Sequence, residues 1–275
     1  MTALLPCAAV TSVFALSILL LSCTWVAYSY IGFGLVIACL CHVCWIFWAF
    51  SYIRCIIEDP GRVSANWFAF YPLEAIVYGY REHKAAVDKP RNCSKCEVMK
   101  PPRCHHCSQC KRCVLRFDHH CIWINNCIGY RTIKPFLCML NWAILALCLL
   151  SLHAALEIYH ISEWKSKTVL VDVATGAAIP LTFYIGMQVM VEILLLIVTV
   201  VAVVPVWAYT LFGILRNVTM YERRFAFART AKSPFDRGLV ENWSIIMGNS
   251  LLWAFIPTVP KNDRNGFVFS TSKER

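Results

Sequence analysis

Charged residues are scarce in this chain. They make up 15% of its 275 residues, whereas a soluble domain has about 25%. The formal net charge is +10, yet no Lys or Arg precedes Arg54. Hydrophobic residues make up 59% of the chain. This composition excludes an ordinary soluble domain and is typical of a membrane protein. Because a secretory signal peptide begins with a basic segment, the lack of early Lys and Arg favours a retained membrane helix at the N-terminus.

Four apolar stretches are long enough to cross a bilayer as helices, which takes about 20 residues each. They are residues 7–28, 31–53, 135–157 and 179–215. As a single helix the last stretch would be ~55 Å long, against a hydrocarbon core of ~30 Å, so it is either one long, tilted helix or two short spans. One crossing puts both Lys- and Arg-rich regions on the same side of the membrane, as the positive-inside rule favours.

The predicted fold class is therefore an all-α polytopic membrane protein with four transmembrane helices. Both termini and the loop between helices 2 and 3 are expected in the cytosol. The predicted segments are helices 1 and 2 in residues 7–53, a cytosolic linker in 54–92, a cysteine-rich zinc domain in 93–134, helix 3 in 135–157, a lumenal or extracellular loop in 158–178, helix 4 in 179–215 and a cytosolic tail in 216–275.

One carboxyl group lies inside the fourth predicted span, that of Glu192. Ionisable groups at membrane depth are costly and face a partner or a cavity. We expect a hydrogen bond from Glu192 to a neighbouring helix, with a functional carboxyl as the alternative. Farther along, the residues around Asn242 and Trp243 predict a short amphipathic helix in the tail.

Cysteine is abundant, with sixteen in the chain, and eight of these lie between Cys93 and Cys127 together with four histidines. Their Cys-x2-Cys and His-Cys-x2-Cys spacings indicate metal binding in a reducing compartment rather than a disulfide scaffold. Two zinc ions would use eight of these twelve side chains. The spacing alone does not decide which four are left over.

The same segment resembles the cysteine-rich domain of the DHHC-type protein S-acyltransferases, or palmitoyltransferases. The resemblance rests on CSKC, KPPRCHHCSQCKRCVLRFDHHC and WINNCIG, closed by Phe136, and it covers about 45 residues closely. Outside them, Asp59-Pro60-Gly61 matches the DPG turn of the family. Residues 219–222 match its TTxE motif imperfectly, and Asn242 fits its buried asparagine, expected to brace the tail against the zinc domain. The four-span layout extends the resemblance over most of the chain.

The resemblance implies a ligand set for each of two structural Zn²⁺ ions. One set is Cys93, Cys96, His106 and Cys113, and the other is Cys107, Cys110, His120 and Cys127. Cys104 falls where the family has no fixed residue and is interpreted as incidental. Cys121 falls on the family nucleophile, which takes a long-chain acyl group from acyl-CoA and passes it to a cysteine of a substrate protein.

The residues around Cys121 suit that chemistry on their own terms. A thiol attacks as its thiolate and needs a neighbouring base or a positive field. His119 supplies an imidazole, and Asp118 can fix its tautomer and stabilise the imidazolium, as in a catalytic triad. His120, held by zinc, would anchor the turn that carries Cys121.

Basic residues surround the predicted zinc domain and suit an anionic partner. The resemblance implies that Lys100, Arg103 and His105 contact the CoA headgroup, and charge-assisted contacts fit its phosphates. Attraction to anionic lipid headgroups is the alternative. Nucleic-acid binding is disfavoured, because no finger-like recognition helix is present. The expected partners are acyl-CoA, membrane-associated substrate proteins and the bilayer, and the family implies a Golgi or endoplasmic reticulum membrane.

Three positions depart from the family pattern, namely Ile122, Thr132 and Met220, and none removes a predicted ligand or catalytic group. Two other functions explain the cysteine-rich segment less well than an S-acyltransferase does. A non-catalytic zinc-dependent membrane scaffold leaves Asp118-His119-His120-Cys121 unexplained. A membrane-anchored RING-like ubiquitin ligase leaves Cys121 without a role and lacks the expected spacing in its second half.

Overall fold

The computed structural model describes residues 34–64, 92–161, 169–171, 178–225 and 233–259. Three long helices dominate these residues: α1 (Gly34–Ile57), α2 (Ile133–Ile161) and α3 (Leu181–Leu215). Each contains a segment long and apolar enough to cross a membrane, namely Cys39–Ile57, Ile133–Leu156 and Val189–Leu215. The predicted spans at 31–53, 135–157 and 179–215 thus coincide with helices. The first predicted span, at 7–28, lies outside the described residues.

Helix α1 ends later than predicted, and helix α3 decides between the two alternatives for the last apolar stretch. Helix α1 continues to Ile57, beyond the predicted end at residue 53, because Arg54 forms an (i, i+4) salt bridge of 2.8 Å with Glu58. Helix α3 passes through Pro205 as one continuous helix. The long apolar stretch is therefore one helix and not two.

Short β-hairpins join the helices within the described residues. The paired strands are β1 (Asn92–Cys93) with β2 (Val98–Met99), β3 (His105–Cys107) with β4 (Arg112–Val114), β5 (His119–Cys121) with β6 (Asn126–Ile128) and β7 (Val169–Val171) with β8 (Ala178–Pro180), all antiparallel. The all-α class predicted from the sequence does not cover them. Strands of two or three residues carry no readable alternation, so periodicity could not reveal them.

The predicted turn after α1 is present and packs on two of these hairpins. Asp59 closes it by accepting hydrogen bonds at Oδ1 from the backbone N–H groups of Gly61 and Arg62, at 2.9 and 2.7 Å. The Leu115 N–H donates to the Gly61 carbonyl at 2.9 Å. The turn thereby joins the C-terminal end of α1 to the cysteine-rich segment.

The tail contains helix α4 (Met220–Phe225), helix α5 (Leu239–Met247) and a 3₁₀ helix (Leu251–Phe255). Helix α5 is the short helix predicted around Asn242. The Asn242 side chain is fully buried and donates to the carbonyl of Leu215 at 2.7 Å and to Asp236 at 2.8 Å. It therefore fastens the tail to the end of α3, whereas the sequence placed this brace at the zinc domain.

Contacts group the described residues into two compact units, one with residues 49–139 and 207–259 and the other with residues 34–48 and 140–206. In the second unit Ile37 and Cys41 pack against leucines of α2. The buried Glu192 carboxylate lies 3.2 Å from Nδ1 of the buried His153. The expected hydrogen bond from Glu192 to a neighbouring helix is thus confirmed.

Candidate metal and thiol site

The first cluster of possible metal ligands contains Cys93, Cys96, His106 and Cys113, whose ligand atoms all lie within 4.8 Å of one another. Cys93 and Cys96 come from the first hairpin, β1–β2. His106 and Cys113 face each other across β3 and β4. The His106 Nδ1 atom is 3.5 Å from the sulfur of Cys93 and 3.2 Å from that of Cys96.

The second cluster repeats this construction one hairpin later. It contains Cys107, Cys110, His120 and Cys127, again within 4.8 Å. The β3–β4 hairpin supplies Cys107 and Cys110, while His120 and Cys127 are paired across β5 and β6. The His120 Nδ1 atom is 3.3 Å from the Cys110 sulfur.

The two clusters interleave along the chain because successive side chains of a strand point to opposite faces. His106 and Cys107 are neighbours on β3, yet each belongs to a different cluster. Each cluster offers three thiol sulfurs and one imidazole nitrogen, a donor set that suits a tetrahedral zinc site. These are the same eight residues that the resemblance grouped into two sets, and each group could hold one metal ion.

The same alternation separates the Asp-His-His-Cys motif into two faces. His120 lies in the second cluster, while His119 and Cys121 share the other face of β5. The Asp118 Oδ2 atom lies 2.8 Å from Nδ1 of His119. Burial lowers the pKa of His119, but hydrogen bonds to Asp118 and Cys121 outweigh burial and raise that pKa to about 9. A carboxylate, an imidazole and a thiol are therefore aligned beside the second cluster.

The second oxygen of Asp118 is held by the tail. Its Oδ1 atom accepts a hydrogen bond of 2.8 Å from the backbone N–H of Met220, the first residue of α4. Since the donor is backbone, the Met220 departure from the family pattern leaves this contact intact. The His119 ring also meets the Phe136 ring edge-on, with centroids 5.7 Å apart. Both flanks of the Asp118–His119 pair are thereby fixed.

The three residues that the resemblance assigned to CoA lie in different environments. Lys100 is partly exposed. His105 is 8% exposed, and its ring packs at a tilt of 36° against that of Tyr221, with the ring centroids 3.8 Å apart. Arg103 is 3% exposed and donates two hydrogen bonds to Glu222, at 2.6 and 2.8 Å. Of the three, Lys100 is the one whose side chain has solvent access.

Sequence reasoning missed the partner of Arg103. Glu222 belongs to the imperfect TTxE match, but nothing in the sequence connects it to a residue 119 positions away. Burial alone would raise the pKa of Glu222, but the charge and hydrogen bonds of Arg103 outweigh burial and lower that pKa to about 2. Asn217 accepts a further hydrogen bond from Arg103 at 2.8 Å. Together these contacts fasten the tail to the cysteine-rich hairpins.

Comparison with known proteins identifies the protein family to which this chain belongs. Residues 86–225 match the family model described as DHHC palmitoyltransferase, which spans both clusters and the Asp-His-His-Cys motif. This chain belongs to the DHHC palmitoyltransferase family. As a member of that family it is an acyltransferase.

Plant and animal relatives are similar to this DHHC palmitoyltransferase over much of its length. "Probable protein S-acyltransferase 15" of Arabidopsis thaliana is 30% identical over 236 residues, covering 82% of this chain and 84% of the relative. "Probable protein S-acyltransferase 16" of the same plant is 32% identical over 218 residues, covering 76% and 71%. "Palmitoyltransferase ZDHHC15" of Rattus norvegicus is 31% identical over 170 residues, covering 61% and 46%.

Proposed function

We propose that Cys121 is the nucleophile of a protein S-acyltransferase that moves a palmitoyl or similar long-chain acyl group from acyl-CoA to cysteines of substrate proteins. The observation that carries this proposal is the alignment of three groups on one edge of a hairpin. Asp118 is hydrogen-bonded to His119 at 2.8 Å, and His119 shares a strand face with Cys121.

The reaction proceeds in two balanced steps. In the first, His119 accepts the thiol proton of Cys121, the sulfur attacks the thioester carbonyl, the bond to CoA breaks, and His119 returns the proton so that CoA leaves as a thiol. In the second, His119 accepts the proton of a substrate cysteine, whose sulfur attacks the Cys121 thioester. The bond to the Cys121 sulfur breaks, and His119 returns the proton to restore the Cys121 thiol. A thioester is broken and formed in each step, so no further energy source is needed. Asp118 orients His119 and stabilises its charged form.

The two clusters are assigned as structural zinc sites, and the donor sets fit that ion. When bound, zinc would supply the rigidity that hairpins with strands of two or three residues lack. His120 and Cys127 would hold the second ion, and His120 adjoins the nucleophile in sequence. Holding this strand pair fixes the backbone on both sides of residues 121–126.

Lys100 is proposed as the cation that meets a CoA phosphate, since its side chain is partly exposed. Arg103 and His105, also assigned to CoA by resemblance, are buried and engaged with Glu222 and Tyr221. Their part in headgroup binding is therefore indirect, through the position of the connection between β2 and β3, which carries Lys100.

The proposed arrangement in the cell follows from the charge distribution. Four transmembrane helices with the cysteine-rich domain in the cytosol place Cys121 where cytosolic acyl-CoA and membrane-bound substrate proteins both reach it. The order of segments is the one predicted from the sequence, with the described helices ending at the residues given above. A Golgi or endoplasmic reticulum membrane is the proposed location.

Labelled palmitoyl-CoA tests the nucleophile directly. The purified protein is incubated with it and analysed before and after hydroxylamine, which cleaves thioesters. We expect a hydroxylamine-sensitive label on the wild type and none on Cys121→Ser. Cys104→Ala, a change at another buried cysteine of the same domain, should keep the label. An unlabelled wild type, or a labelled Cys121→Ser protein, would contradict the proposal.

A further inference from the structure

The loop that carries Cys121 is fastened to the C-terminal end of helix α1 by side chains. We call residues 121–126 the nucleophile loop, since Cys121 and Asn126 are the cross-strand partners at its two ends. It lies between His120 and Cys127, two members of the second cluster. The loop itself contains none of the clustered ligands, so metal binding fixes its flanks but not its interior.

Asn126 makes the first of two ties between this loop and α1. Its side-chain amide donates to the carbonyls of Cys55, Ile56 and Glu58, at 2.9, 3.3 and 2.9 Å. The last carbonyls of a helix have no partners within the helix, and here a side chain distant in sequence supplies them. Asn126 is 5% exposed, so water does not replace these bonds.

The other end of the Asn126 side chain faces the cysteine-rich hairpins. Its Oδ1 atom accepts a hydrogen bond of 2.9 Å from the backbone N–H of Cys127 and one of 3.3 Å from Arg112. A single amide thus connects the end of α1 to β6 and to β4. Because the N–H groups and the oxygen of this amide are hydrogen-bonded at the same time, the orientation of the Asn126 side chain is fixed.

Tyr52 makes the second tie, from one turn earlier in α1. Its hydroxyl donates to the backbone carbonyl of Trp123 at 2.6 Å, and the residue is 2% exposed. Trp123 lies in the middle of the nucleophile loop, and its side chain is 59% exposed. The tie therefore acts on the loop backbone and leaves that indole uncovered.

We propose that Asn126 and Tyr52 are positioning residues that set the place of the Cys121 sulfur relative to helix α1. This proposal rests on Cys121 being the nucleophile. The acyl chain of the thioester begins at that sulfur, so a displaced loop changes both the attack geometry and the depth at which the chain starts. A shift of about 1 Å at a reacting atom costs up to about a hundredfold in rate.

Two variants remove one tie each with little change in shape. Asn126→Asp keeps the acceptor for Cys127 and replaces the donating amide with an oxygen facing three carbonyls. Tyr52→Phe removes only the hydroxyl. Asn125→Asp is the matched control, because this neighbouring residue is exposed and its φ of 53° suits Asp as it suits Asn. All are measured as full-length protein in detergent or nanodiscs.

The measurements are the single-turnover rate of Cys121 acylation at saturating acyl-CoA, with myristoyl-, palmitoyl- and stearoyl-CoA, and the zinc content. Asn126→Asp and Tyr52→Phe should each slow acylation by about tenfold or more, flatten the preference among the three chain lengths, and keep the wild-type zinc content. In the double variant, acylation should be slowed by less than the product of the two single slowing factors, since both ties fix one loop. Asn125→Asp should match the wild type.

Wild-type rates and chain preference in both single variants would overturn the proposal. Loss of zinc from both would also overturn it, because the two residues would then serve folding of the domain. If Asn126→Asp alone lost zinc, the acylation rate of Tyr52→Phe would decide: a slowed rate supports the proposal and a wild-type rate overturns it. Failure of the proposed nucleophile looks different: the wild type would take no label, or Cys121→Ser would keep one.

Discussion

Asp118 is the residue on which the proposed chemistry and the tail meet. One of its oxygens contacts His119 at 2.8 Å, and the other accepts the N–H of Met220 at 2.8 Å. Its position is therefore set by helix α4, more than a hundred residues farther along the chain. An anionic group held in this way can stabilise a positive imidazolium as the thiol proton is transferred.

Replacing Asp118 with Asn tests the charge apart from the shape. The side chain keeps its size, and an amide oxygen can still accept from Met220, but the negative charge beside His119 is lost. We expect single-turnover acylation of Cys121 to slow by about a hundredfold or more. Zinc content and melting temperature serve as controls and should stay close to wild type. A rate within about threefold of wild type would show that the charge has no part in the reaction.

The Arg103–Glu222 pair leads to a prediction on stability. The two side chains are 0% and 8% exposed, and removing one partner leaves a buried charge uncompensated, at a cost of about 3–5 kcal/mol. Glu222→Gln should therefore lower the free energy of unfolding by about this amount, measured by denaturation in detergent. Because the pKa of Glu222 is lowered from 4.5 to about 2, this stabilisation is complete above pH 4.5 and is lost as the pH falls toward 2.

An exposed ion pair is the matched control for that variant. Arg131 is 46% exposed and pairs with Glu58, and such surface pairs contribute about 0–1 kcal/mol. Arg131→Gln should thus change the stability little. Equal losses from both variants would contradict the role given to the buried pair.

At the scale of the elements, Gly129 directly follows β6 and lies close against the turn after α1 and the end of β4. A Cβ atom added there would lie 2.6 Å from Cγ1 of Val114, 2.7 Å from the Pro60 carbonyl oxygen and 2.9 Å from that of Leu115. Two of these three atoms are backbone, which cannot rotate away. The contact holds the Asp59–Gly61 turn against the hairpins.

Gly129→Ala should consequently destabilise the protein by about 1–3 kcal/mol, the usual cost of overpacking. Gly186→Ala is the control: nothing lies within 4 Å of the added Cβ, and the residue is inside helix α3. That change should be neutral or stabilise by about 0.5–1 kcal/mol. Thermal unfolding of the two variants in the same detergent gives the comparison, and a Gly129→Ala protein as stable as wild type would rule out the close contact.

At the scale of the whole molecule, the proposed zinc ions would hold together strands that contribute little stability of their own. Removing zinc with a strong chelator should therefore loosen the cysteine-rich segment, abolish acylation of Cys121 and leave most helical circular dichroism in place. Zinc content should fall from about two ions per chain to none. Re-addition of Zn²⁺, and not of Mg²⁺, should restore acylation. Full activity in a protein shown to contain no zinc would contradict the assignment.

Local patterns were enough to predict most of what is now described of the fold. Apolar stretches predicted the three described long helices, since a helix needs about 20 consecutive apolar residues to cross a membrane. The close spacing of Cys93–Cys127 with four histidines predicted metal binding. The hairpins escaped prediction because two-residue and three-residue strands have no periodicity. The ligand sets could be divided into two only by resemblance, because spacing along the chain does not tell which face of a strand a side chain occupies.

The sequence by itself determined the membrane character of the chain, its family and the presence of a thiol beside an imidazole and a carboxylate. These depend on composition and on residues adjacent in sequence. Only the tertiary structure decided that Arg103 forms a buried ion pair with Glu222 and that Asp118 accepts a hydrogen bond from Met220. It also decided that Asn126 and Tyr52 fasten the nucleophile loop to α1. Each of these joins residues about 70 to 120 positions apart. Such pairs form because buried donors and acceptors must find partners, and the chain order does not say which ones they find.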